Sequence, residues 1–92
     1  MEIQQSRETF DTGLKKIRLE IKSRLVPHGL FGTVTETDMG GEAGLTGSKI
    51  EITVKGRTSS RSFDRQQIEA CHLRVGGTVL VAVNAMIDEL SG

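Results

Sequence analysis

Apolar residues recur near the start of this chain at Ile3, Phe10, Leu14, Ile17, Ile21 and Leu25, with separations of seven, four, three, four and four. Such spacings place all of them on one stripe of an α-helix, and a stripe of that length must be covered by something. Glu8 and Asp11 stand near the start of the segment and Lys15, Lys16, Arg18, Lys22 and Arg24 toward its end, the order a helix dipole favours. The pattern predicts a helix from about residue 7 to 25. Pro27 lacks an amide donor and biases Val26 away from helical geometry, and Gly29 is a second stop, with His28 in the turn between them.

The cover is expected from the middle of the chain. In Lys49-Ile50-Glu51-Ile52-Thr53-Val54-Lys55 the aliphatic residues fall on one side of a strand and the polar ones on the other, so the sheet should be wet on one face. Residues 30 to 38, rich in β-branched types but only loosely alternating, fit a strand near a sheet edge. Gly56-Arg57 is placed to turn the chain into a short third strand, Thr58 to Phe63. Between the first two strands, Met39 to Gly47 holds four glycines in nine residues and reads as a loop.

A second helix is announced by Asp64, which can cap the amide of Gln67 while Gln67 reaches back to the amide of Asp64; Phe63 and Ile68 occupy the positions of a hydrophobic staple. Apolar residues then continue in phase through Cys71 or His72, Val75, Val79, Val83, Met86 and Leu90. Gly76 and Gly77 interrupt them, at a cost of about 2 kcal/mol relative to alanine in a helix interior. Two readings are open. The helix runs on, continuous or broken at the glycines, with Val79 to Leu90 amphipathic; or Val75-Gly76-Gly77-Thr78 is a hairpin turn and Val79 to Val83 a buried strand. The preserved phase favours the helix.

The expected fold is therefore α+β: two layers in the order α-β-β-(β)-α, with N- and C-terminal amphipathic helices packed on one face of a small antiparallel sheet. At 92 residues a single domain over 1–92 is expected. The order is similar to that of double-stranded-RNA-binding modules and small bacterial nucleoid-associated proteins, in topology only. The RNA module's basic cluster at the start of its last helix is missing, since Asp64-Arg65-Gln66-Gln67 offers one cation.

Charged residues are 26% of the chain and sum to zero, so no global field draws it to nucleic acid or to an anionic membrane. The longest apolar run, Val79 to Val83, is far below the about 20 residues that span a bilayer. The lone cysteine, Cys71, and a start without signal-peptide character imply a reducing, cytoplasmic setting. With no Trp or Tyr, and only Phe10, Phe31 and Phe63 for aromatic area, added burial through a homodimer is expected.

Little in the sequence suggests catalysis or a cofactor. Gly44-Leu45-Thr46-Gly47-Ser48-Lys49 resembles part of a P-loop, but Ser48 precedes Lys49 and a strand follows instead of a helix. Cys71, His72 and His28 are too few to close a zinc site, and the Glu69/His72 pair on one helix face lacks the further carboxylates of a di-metal centre. No nucleophile, base and orienting group stand out together. No metal, cofactor or small-molecule ligand is inferred.

Two expectations remain for binding. The first is a non-enzymatic interaction module, self-associating and binding another protein; Gly76 and Gly77 would permit close backbone approach, making Val75, Gly76, Gly77, Val79 and Val83 the self-association surface. The alternative is a nucleic-acid binder whose phosphate contacts are Lys15, Arg18 and Lys22 on one face of the first helix, with Lys55, Arg57 and Arg61 around the second turn. Against the alternative stands the ordinary role of such cations on a solvated helix flank. Thr58 to Ser62 reads as an edge strand kept polar against sheet-to-sheet pairing, more than as a phosphorylation site.

Overall fold

The computed structural model describes residues 2–38 and 47–91, with side chains over 8–37 and 47–91. Helix α1 spans Glu2–Leu25, strands β1, β2 and β3 span Thr33–Asp38, Gly47–Val54 and Arg57–Asp64, and helices α2 and α3 span Arg65–Ala70 and Gly77–Ser91. The strands form one antiparallel sheet in the order β1-β2-β3. This is the expected α+β arrangement, with helices packed on one face of the sheet. The glycine-rich segment from Met39 to Thr46 lies outside the described residues.

Helix α1 begins earlier than its stripe suggested and ends where expected. A short 3-10 turn, Val26–His28, follows it, and Gly29 takes a left-handed conformation (φ 68°). The amide of Gly29 bonds the carbonyl of Val26 and the amide of Leu30 bonds that of Leu25, at 2.9 and 3.1 Å. That pair of bonds is a Schellman closure, and it uses up Leu30 to Gly32 before pairing begins, so β1 opens at Thr33 and not at Leu30. At the far end of the sheet the hairpin turn is Lys55-Gly56, both at positive φ (52° and 80°), one residue earlier than the sequence indicated. A two-residue turn with both φ positive matches the right-handed twist of the flanking strands.

Register decides what faces the helices. On the inner face Val34, Ile52 and Ser59 form one cross-strand row and Glu36, Ile50 and Arg61 the next. The central strand is apolar along this face, with Ile50, Ile52 and Val54 buried, while β1 and β3 add only Val34 and Phe63. Each edge strand instead ties a helix down through a polar side chain: Glu36 of β1 accepts from Arg18 of α1 at 2.7 Å, and Ser59 and Arg61 of β3 both bond the carboxylate of Glu89 in α3. Arg57 adds hydrogen bonds from its guanidinium to the carbonyls of Glu89 and Leu90, at 2.7 and 3.4 Å, satisfying acceptors that the last turn of α3 leaves open. Thus α1 lies toward β1 and α3 toward β3.

One apolar cluster fills the space between the layers. Phe10, Ile17, Ile21 and Leu25 come from α1, Phe63 from β3, Ile68 from α2, and Val79, Val83, Met86, Ile87 and Leu90 from α3. Burial of each such side chain is worth about 1.5–3 kcal/mol. Where α1 crosses α2 there is no room for a side chain: a Cβ on Gly13 would stand 1.9 Å from the carbonyl oxygen of Ile68. Among the described residues no buried side-chain nitrogen or oxygen lacks a partner.

The second half of the chain settles the open question. Asp64 caps α2 with both bonds of the expected box, and Phe63 and Ile68 are buried together. The helix then stops at Ala70, sooner than the glycines, with the amides of Cys71 and His72 closing on the carbonyls of Ile68 and Glu69. After six intervening residues the chain resumes as α3, and residues 79 to 83 are helical, which excludes the hairpin reading. The apolar stripe kept its phase because Ile68, Cys71 and Val79 all reach the same core, by a bent route and not along one axis.

Candidate interaction surface

The residues expected to serve self-association do not lie together on the surface. Val79 and Val83 face this chain's own core, where a partner cannot reach them without opening it. Val75 is half-buried and packs against the core's edge; Gly76 stands just before α3 and Gly77 opens it, with open space where a side chain would be at both.

The expected cations are divided as well. Arg18 is spent on Glu36, while Arg57 and Arg61 are spent on the C-terminal turn of α3. Because these partners sit over opposite edges of the sheet, the two groups do not merge into one track. Lys15 and Lys22 on α1 and Lys55 in the hairpin turn are exposed.

Cys71 is 2% exposed, and burial pushes its thiol up while a hydrogen bond from the amide of Gly76 opposes this. A buried, protonated thiol is a small hydrophobe and not a nucleophile. His72 lies beyond the end of α2 with Nδ1 2.9 Å from the carbonyl oxygen of Glu69, and the Glu69 carboxylate accepts from Arg65. The two therefore do not share a helix face. Among the described residues no three His, Cys, Asp or Glu side chains gather closely enough to hold a metal ion, and no helix is long and apolar enough to cross a membrane.

The sheet's other face is uniform. Its rows are Thr33, Thr53 and Thr58; Thr35, Glu51 and Ser60; and Thr37, Lys49 and Ser62. Thr53 and Thr58 share a hydrogen bond of 3.1 Å and Lys49 pairs with Glu51 at 3.1 Å. Such a face is well hydrated and offers no apolar anchor.

Among the described residues Phe31, just ahead of β1, is an exposed apolar side chain outside the helical layer, and Leu19, Val26, Leu73 and Val81 are those on the helices and their connections. Residues 16, 19, 20 and 23 of α1 form a ridge beside the buried stripe, and the bend between α2 and α3 runs past it. Leu19, 51% exposed, and Leu73, 77% exposed, line a shallow groove of about 530 Å³ there, with Val75 at its floor and Lys16 and Arg74 on its rim. Glu20 and Ser23 also line a second hollow of about 410 Å³, which continues between α1 and α3 to Pro27, His28 and Asp88. Glu20 is bonded to Arg24, whose guanidinium also reaches Asn84 of α3 at 3.0 Å. The two hollows thus form one seam, running from Lys16 to His28 for about 18 Å at the helical rise of about 1.5 Å per residue.

The sequence holds a weak trace of this surface. Leu19 and Leu73 are among the apolar residues that fit neither stripe, and an out-of-phase leucine on an otherwise polar helix flank is the signal it left. Comparison of the chain with protein-family models, with curated proteins and with solved structures returned no match, so the reading of function rests on its own residues.

Proposed function

We propose that this chain is a non-enzymatic interaction module that binds protein through the seam between α1 and α3. The observation carrying this reading is that Leu19 and Leu73, both more than half exposed, line one groove with Val75. Large aliphatic side chains gathered in a concave strip with a charged rim have the anatomy of a docking surface, an apolar centre with a polar margin. The spare chemistry elsewhere supports binding over catalysis: the one thiol is sealed in the core, and His28 and His72 occupy different turns. We read the buried free thiol as fitting a reducing, cytoplasmic setting.

A photo-crosslinking amino acid placed at position 73, in cells that express the protein, tests the reading. Ultraviolet light should give protein adducts from position 73 and none from position 35 on the hydroxyl-lined face. No adduct from position 73, or equal yields from both, would refute it.

Lys15, Lys22 and Lys55, exposed and without ion pairs among the described residues, are the observation favouring the nucleic-acid alternative. A mobility shift that appears at low salt and is lost on changing Lys15, Lys22 and Lys55 to glutamate would establish it; no shift at low salt would remove it.

A further inference from the structure

We infer that the occupant of the seam is a second copy of this chain, docked antiparallel about a two-fold axis near Ser23. The inference rests on the seam being a protein-docking surface and adds which protein fills it. Its basis is the order of groups along the strip. At one end stand Leu19 and Leu73 with the cations Lys16 and Arg74, neither of which has an ion-pair partner among the described residues. At the other end stands Pro27 with Asp88, whose carboxylate is likewise without a cation among the described residues. Ser23 lies between the two ends and is small enough to let the helices approach.

A two-fold axis brings unlike ends together. Leu19 and Leu73 of one copy then cover Pro27 of the other, and Lys16 and Arg74 meet the other copy's Asp88. Each contact occurs twice, as a closed isologous interface requires. In the parallel arrangement the cations would instead oppose their own counterparts, and like charges face to face disfavour that alignment. Glu20 is already engaged by Arg24, so it does not compete for Lys16 of the partner.

Sedimentation velocity over a concentration series tests this, using the full chain. Wild type should show a monomer–dimer equilibrium. Leu73→Glu should leave only monomer, whereas Val81→Glu, at an exposed position on the outer side of α3, should dimerise as wild type does. Asp88→Lys should weaken dimerisation on the order of tenfold, and combining it with Lys16→Asp and Arg74→Asp should restore it. These positions are solvent-facing, and far-UV circular dichroism of every variant checks that the fold persists. Wild type that stays monomeric at all concentrations overturns the inference, while adducts from position 73 to other proteins would then leave the docking reading standing. A dimer indifferent to Leu73→Glu overturns the seam as the dimer interface, and absence of adducts from position 73 would overturn the docking reading as well. A charge swap that fails to restore association overturns the antiparallel alignment.

Discussion

Replacing Gly13 by alanine sets local helix energetics against tertiary packing, and the structure says which must win. In an isolated helix the change is favourable by about 1 kcal/mol, because glycine is the poorer helix former. In the folded chain the new Cβ would stand 1.9 Å from the carbonyl oxygen and 2.8 Å from the carbonyl carbon of Ile68, where real Cβ contacts are not closer than 3.0 Å. The obstacle is backbone, and it cannot rotate away. Helix α2 must therefore retreat by about 1 Å or more, loosening Ile68 and Phe10 from the core; overpacking of this kind costs about 1–3 kcal/mol and sometimes more. A clash with backbone lies at the upper end of that range, so the net expectation is a loss of about 2 kcal/mol, which for a chain of this size lowers the melting temperature by roughly 8–16 °C. Urea denaturation should show a lower midpoint with an unchanged slope. Gly76→Ala, with nothing within 4 Å of the added carbon, is the control and should change the midpoint little. Gly13→Ala as stable as wild type would mean that α1 and α2 do not cross at this point.

Other perturbations have equally definite signs. Lys55→Asn relieves a left-handed φ of 52° in a non-glycine residue and should stabilise by about 0.5–1 kcal/mol, read as a raised urea midpoint; no gain would contradict the turn geometry. Arg61 and then Ser59 hold Glu89 below the usual carboxylate range. Its contribution is therefore complete above the free-chain value of about 4.3 and is lost as pH falls through the lowered value, so Glu89→Gln should flatten the acid limb of a stability-versus-pH curve, and an unaltered limb would refute the tie. The Cys71 thiol should resist an aromatic disulfide reagent in the native state and react once on unfolding; native reactivity near that of a free thiol would contradict its burial.

Much of the fold was legible because it rests on short-range patterns. The α1 stripe, the alternation of Ile50, Ile52 and Val54, and the Asp64/Gln67 cap all involve residues within about two helical turns of one another, where spacing alone fixes direction. The break after Ala70 was not legible from periodicity, since a bent path delivers Ile68, Cys71 and Val79 to the same core that a straight one would. The glycines marked trouble, but the helix ended at Ala70, six residues before Gly76, and Gly77 opens the next.

The surface was harder to read for a different reason. Arg18, Arg57 and Arg61 look like free cations until their partners are known, and those partners stand 18, 32 and 28 residues away in sequence. Likewise Val79 and Val83 are apolar whether they face a partner or their own sheet; only the packing of α3 on β3 assigns them inward. Leu73 has the opposite history. It looked like one more residue of a helical segment, and the bend that ends α2 leaves it exposed beside Leu19.

The seam between α1 and α3 is the claim on which the account of function stands, and methyl NMR against protein concentration tests it most directly. On raising the concentration, the methyl signals of Leu19, Leu73 and Val75 should shift together, while those of Val81 and of Thr33, Thr35 and Thr37 stay fixed. Movement confined to Val81 or to the threonine face, with the three seam residues unmoved, would contradict it.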